Sequence, residues 1–296
     1  MRLFKIYILF FLMFVASNAL FALTIDMSEN EIANGQTVLI EFEKEKNIKY
    51  NAVLLDKKKY KIFDNPCNDT KMYALVAVDY DAKPKDTKLQ LHYEDKKEQM
   101  QQTVMLQIKD GKYEKETLKV DEAKVHLSEK NIKSAEAETQ EAMDIYNTVT
   151  DASYITTPFI APMSSKVTSS FGKARIFNDA LKSYHSGTDF RAKVGTPIGA
   201  SNDGVVVLAK DRFYAGGSVI IDHGQGIYTC YFHMSKFNVQ KNEKIKKGQI
   251  IGLSGESGRV TGPHLHFATR VGGVQVDPMQ LMTLLNNTLL NKGKIR

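Results

Sequence analysis

The chain has 296 residues, of which 43% are hydrophobic and 25% charged, with a net charge of +6, two Cys and no Trp. This apolar share is ample for packed cores, so a disordered chain is excluded, and the length fits about two domains. Two thiols exclude a disulfide scaffold and a four-thiolate zinc cluster. The basic balance suits a polyanion such as an anionic cell wall, yet no basic stretch interleaved with aromatics marks a nucleic-acid binder.

Residues 1–22 read as a signal peptide. Arg2 and Lys5 precede an apolar run of 11 residues from Ile6 to Ala16, and the small residues Ser17, Ala19 and Ala22 follow. That run is well short of the roughly 20 residues that span a bilayer. Cleavage after Ala19 or Ala22 is the expectation, which makes the mature protein exported, without stable membrane insertion and with no nucleic acid as partner.

Residues 23–120 alternate polar and apolar side chains. Thr37–Phe42, Tyr73–Asp79, Lys88–Tyr93 and Val104–Lys109 read as strands of a β-sandwich-like domain. His92 and His126 stand alone and read as ordinary surface or packing histidines. A helical connector is expected over 121–155. Ser128 caps a helix running to about Thr148, with Ile132, Ala135, Thr139, Ala142 and Tyr146 as its weakly apolar stripe. Cys67 and Cys230 fall in different expected domains and read as unpaired thiols.

A second domain is expected over 156–280. Sixteen of the 19 glycines lie between Gly172 and Gly273, the pattern of many short strands joined by tight turns. Asp277-Pro278 is a cap followed by proline, opening a closing helix over Met279–Leu290, so that 281–296 is the C-terminal helix and tail. The fold class is mainly β.

Five of the seven histidines lie between His185 and His266. In His264-Leu-His266 strand parity projects both imidazoles to one face, with Leu265 turned into a core. The same parity aligns His185 with Asp189, Gly187 leaving room between them. Two imidazoles and a carboxylate suit zinc, with the fourth position left for water. There is no His-Glu-x-x-His helix to supply a glutamate base, so another histidine must handle protons. His233 fits, placed by parity on the face of Tyr231 and opposite Cys230. Parity leaves open which of His264 and His266 binds metal. His223, in Ile-Asp-His-Gly, reads as structural, with a substrate-lining role as the alternative.

Taken together these segments resemble a known family. Val167-Thr-Ser-Ser-Phe-Gly-Lys-Ala-Arg175, His185-Ser-Gly-Thr-Asp189, Gly195-Thr-Pro-Ile-Gly-Ala200, Tyr228-Thr-Cys-Tyr-Phe-His233-Met and Gly255-Glu-Ser-Gly-Arg-Val-Thr-Gly-Pro-His-Leu-His-Phe267 occur in the order found in LytM/lysostaphin-type zinc metallopeptidases. The resemblance runs from about Ser164 to Pro278. It implies a twisted antiparallel β-sheet domain with a groove, zinc held by His185, Asp189 and His266, and His233 and His264 as catalytic histidines. It also implies Arg175 and Tyr214 as substrate-binding residues. Ala268 stands where a glutamate is common, a departure that bears on substrate detail. The implied partner is peptidoglycan, cleaved at D-Ala–meso-diaminopimelate cross-links by D,D-endopeptidase and D,D-carboxypeptidase chemistry in the periplasm, in wall remodelling and cell shape. A non-catalytic regulator of other wall hydrolases is the alternative. The architecture adds one more expectation, that the N-terminal domain covers the groove and limits activity.

Overall fold

The computed structural model describes residues 23–118, 129–177 and 181–290. The expected signal peptide and His126 lie outside them. The N-terminal half holds strands β1 (Ile25–Met27), β2 (Glu31–Ala33), β3 (Thr37–Glu43), β4 (Ile48–Leu55) and β5 (Lys58–Tyr60). It continues with β6 (Phe63–Asn65), β7 (Asn68–Ala77), β8 (Lys85–Asp95), β9 (Glu98–Lys109) and β10 (Lys115–Leu118), then helix α1 (Glu129–Tyr146). The C-terminal half holds β11 (Val167–Ser169), β12 (Ala174–Phe177), β13 (Leu181–Tyr184), β14 (Thr188–Arg191), β15 (Pro197–Gly199) and β16 (Gly204–Arg212). After these come β17 (Gly216–Asp222), β18 (Ile227–Phe237), β19 (Lys244–Ile245), β20 (Ile250–Ser254), β21 (His264–Val271), β22 (Val274–Val276) and α2 (Pro278–Asn287).

The N-terminal strands form two sheets, ordered β1-β3-β7-β6 and β2-β9-β8-β4-β5. In β8 the alternation is plain: Thr87, Leu89, Leu91 and Tyr93 are buried, and the residues between them are not. β3 breaks that rule, because Thr37, Val38, Leu39 and Ile40 are all buried. The reason is that α2 packs against β3 from the other half of the chain. Gln280 fastens the contact, accepting from Thr37 N at 3.0 Å and donating to Thr37 O at 2.8 Å. Val276, Leu281 and Leu285 thus share one hydrophobic cluster with Leu39 and Tyr73. α2 itself starts as its sequence dictates, Asp277 accepting from the backbone N–H groups of Met279 and Gln280 ahead of the proline-primed first turn. It stops at Asn287, three residues short of the expected end.

Strand β10 lies within the segment expected to belong to the sandwich, but it pairs elsewhere. It runs parallel to β12, from Lys115 beside Ala174 to Leu118 beside Phe177, and with β13 completes a three-stranded sheet.

The principal C-terminal sheet is antiparallel and ordered β11-β14-β21-β18-β17-β16-β19. One face presents Leu265, Phe267, Tyr231 and Val219 to the main core. On the other face Ala142 and Tyr146 of α1 pack over Leu208, Ile220, Tyr228, Cys230 and Ala268. The expected stripe on α1 is buried at Ala135, Ala142 and Tyr146, whereas Ile132 and Thr139 are exposed. Among the described residues, no helix is long and apolar enough to cross a membrane. Cys67 and Cys230 are free thiols.

Candidate active site

The register of β14 on β21 places Asp189 directly opposite His266, and the register of β21 on β18 places His266 opposite Phe232. Directly paired residues share a face, so these three side chains rise beside the seat of α1. His185 arrives differently. It follows the end of β13, with a bend before β14 starts at Thr188, so strand parity does not relate it to Asp189. Gly187 makes the approach possible, because a Cβ there would lie 2.4 Å from Phe267 O and 2.7 Å from His266 Nε2.

The three side chains converge on one point. His185 Nε2 is 2.8 Å from Asp189 Oδ1 and 3.0 Å from His266 Nδ1, and His266 Nδ1 is 2.8 Å from the same carboxylate oxygen. All three residues are buried and together could hold a metal ion. The ring of His185 donates from Nδ1 to Ser170 O at 2.7 Å. A carbonyl can only accept, so in the neutral ring the proton is on Nδ1 and the lone pair of Nε2 faces the cluster. A lone pair and a carboxylate oxygen packed this closely away from water call for a cation between them, and this nitrogen–oxygen donor set fits zinc. Burial pushes His266 down to about 4.

The other two histidines flank the cluster. His264 Nε2 is 3.7 Å from Asp189 Oδ1, and the His233 ring is 4.9 Å from that of His264. His264 donates from Nδ1 to Gly262 O and His233 from Nδ1 to Ser257 O, each at 2.8 Å. In the neutral ring of each, Nε2 is thereby the acceptor. Burial, followed by the neighbouring His266 and His264, pushes His233 down to about 3.

His233 corrects the parity argument. Tyr231 belongs to the core face, fully buried and 5.4 Å from the Phe267 ring. The β17–β18 register shifts between Gly217 and Val219, and His233 has φ 63°. This bulge, with its left-handed residue, turns His233 onto the face of Phe232 and His266 instead.

Arg175 and Tyr214 occupy different positions. Arg175 Nη2 lies 3.1 Å from Asp189 Oδ2, while its Nε lies 2.6 Å from Glu116 Oε1. Glu116, Ser169, Arg175, His233, Arg259 and His264 line a cavity of about 320 Å³ beside the cluster. Tyr214 is not among its lining residues. Its ring instead supports Arg259, whose guanidinium carbon is 4.5 Å from the ring centroid. Glu116 and Arg259 were not singled out from sequence. Arg259 sits inside the quoted motif ahead of His264, whereas nothing local marks Glu116.

His223 is away from this cavity and fully buried. It donates from Nδ1 to Asp203 O at 2.6 Å, and its Nε2 lies 2.7 Å from Thr229 Oγ1, which suits a structural role. His92 lies on β8 in the N-terminal sandwich.

Residues 183–278 match Peptidase family M23. The chain is 51% identical over 96 residues to peptidoglycan DD-endopeptidase ShyA of Vibrio cholerae, covering 32% of this chain and 22% of the relative. It is 40% identical over 97 residues to DD-carboxypeptidase/endopeptidase Mpg of Neisseria meningitidis, covering 33% of this chain and 22% of that protein. The chain therefore matches only about a fifth of the length of these relatives. A solved chain from Pseudomonas aeruginosa assigned to peptidase M23 superposes with a TM-score of 0.65 at 22% identity, covering 85% of this chain and 95% of that one, a likeness of fold. The C-terminal part of this chain is thus a LytM-type domain of Peptidase family M23.

Proposed function

We propose that the protein is an exported zinc metallopeptidase that hydrolyses peptidoglycan stem-peptide cross-links in the periplasm. The D-Ala–meso-diaminopimelate bond is the target, in a D,D-endopeptidase reaction with D,D-carboxypeptidase activity at the same site. The observation that carries this reading is the convergence of His185 Nε2, Asp189 Oδ1 and His266 Nδ1, flanked by two histidines whose Nε2 lone pairs lie beside one cavity. The names of the DD-endopeptidase and DD-carboxypeptidase/endopeptidase relatives support the substrate class.

Zinc held by His185, Asp189 and His266 would supply Lewis-acid polarisation of the scissile carbonyl and acidify a water molecule. The chain's own groups do the remainder. Nε2 of His233 or His264 accepts the proton of the attacking water, because Nδ1 of each ring donates to a backbone carbonyl and the lone pair of the neutral ring then lies on Nε2. The resulting imidazolium then returns the proton to the leaving amine, closing the cycle. Before that transfer the same Nε2–H donates to the oxyanion of the tetrahedral intermediate. Arg175 holds Asp189 Oδ2, which keeps Oδ1 turned to the two ligand histidines.

Digestion of purified muropeptides by the zinc-loaded full chain, followed by mass spectrometry, tests the proposal. The expected result is conversion of cross-linked dimers to monomers, abolished by chelator and by His266→Ala. Intact dimers with zinc-loaded protein would overturn the enzymatic reading and favour the regulator.

A further inference from the structure

Glu116 stands on a strand far upstream of the M23 segment, yet it reaches the metal cluster in two steps. β10 lies in register with β12, Glu116 beside Arg175. Arg175 Nε is 2.6 Å from Glu116 Oε1, and Arg175 Nη2 is 3.1 Å from Asp189 Oδ2. Asp189 Oδ1 is in turn 2.8 Å from both His185 Nε2 and His266 Nδ1. One rigid guanidinium thus spans two carboxylates, one of them in the cluster, and its planar fork fixes the angle between them.

The charges explain why the outer carboxylate matters. A lone guanidinium on Asp189 would compete with any cation drawn to the same carboxylate. Glu116 opposes that charge while leaving the hydrogen bond that orients Asp189 in place. The pair is also well shielded, with side-chain exposures of 16% for Arg175 and 22% for Glu116, so solvent screens it only in part.

We propose that Glu116 is a positioning residue of the catalytic centre, supplied by the β10 strand that precedes α1. It aims Arg175 and neutralises it, so that Asp189 presents Oδ1 to the metal. The proposal rests on the metallopeptidase reading above. It makes β10 a component of the site, in contrast to the expectation that the N-terminal half only covers the groove.

The test measures zinc affinity of the full chain by chelator competition, alongside kcat and KM on muropeptide dimers. Wild type, Glu116→Gln, Arg175→Met and the double variant are compared, with thermal unfolding of each metal-free protein as the folding control. Glu116→Gln is expected to weaken zinc binding about tenfold, as loss of an outer partner does, and to lower kcat while KM stays within about twofold. In the Arg175→Met background the same change should have little further effect, since the coupling runs through the guanidinium. Should Arg175→Met fail to fold, Arg175→Lys, which keeps the charge but loses the fork, takes its place in the cycle. Zinc affinity unchanged by Glu116→Gln, or lowered equally in both backgrounds, overturns the proposal. So does a rise in kcat, which would make β10 a restraint on the groove. Failure of wild type to bind zinc would instead refute the metallopeptidase reading, and this inference with it.

Discussion

The ring of Phe232 lies almost parallel to that of His266, with 15° between planes and centroids 5.7 Å apart. Phe232 also packs against the cluster beneath α1. It therefore transmits the position of that cluster to the His266 imidazole, which β-sheet pairing alone leaves free to tilt. Phe232→Ala is expected to weaken zinc binding by about tenfold, the scale seen for groups that orient ligands, with the fold retained. Chelator competition and circular dichroism on the purified variant check this, and unaltered zinc affinity would show that the stacking does not steer His266.

Gly187 admits no side chain. Its substitution by Ala would push a carbon against a backbone oxygen of Phe267, and that oxygen cannot swing aside. Gly187→Ala should cost about 1–3 kcal/mol of stability by overpacking and separate His185 from His266. Calorimetry of the metal-free protein should show the lower melting temperature. Muropeptide turnover should fall by at least about a hundredfold, the scale that a misplacement of around 1 Å can cost. Normal turnover by a stable Gly187→Ala protein would contradict the close approach described above.

His223 links stability to acidity. Burial holds it at about 4 against an ordinary 6.5, so the folded state keeps it neutral where the unfolded chain binds a proton. Its contribution is present above pH 6.5 and is lost as the pH falls towards about 4. The difference is on the order of 3 kcal/mol. His223→Asn cannot titrate, so its melting temperature should fall less between pH 7 and pH 4.5 than that of wild type. Parallel acid profiles for the two proteins would remove His223 as the source.

Gln280 tests how firmly the two halves are joined. Gln280→Ala leaves the buried Thr37 N–H and carbonyl without their partners, at a cost of about 1–3 kcal/mol. The expected outcome in urea is a lower midpoint with kcat unchanged, because the residue is remote from the cluster. A parallel loss of kcat would show that the join also holds the site.

Much of the site was legible because β-strands keep simple parity. His264 and His266 flank Leu265 as alternation requires, and the regular alternation of β8 was equally plain. Parity failed where the backbone departs from a regular ladder. His233 lies at a bulge, and His185 lies beyond a bend, so both reach the site by routes that alternation does not describe. The choice of His266 over His264 at the cluster depends on cross-strand register, which a single strand does not encode. Glu116 was invisible for a stronger reason: its pairing with Arg175 spans 59 positions, and the strand that carries it leaves the sandwich to join another sheet. The burial of β3 on both faces was legible only once α2 was seen against it.

That last contact bears on how portable the peptidase region is. Leu281 and Leu285 of α2 are covered in the same cluster as Val38 and Leu39 of β3. A C-terminal fragment grafted onto an unrelated partner would therefore carry an uncovered apolar helix face into water, along with a cluster deprived of Glu116. Such a graft is a candidate for self-association, and any fusion built from this chain should bring β3 and β10 with it.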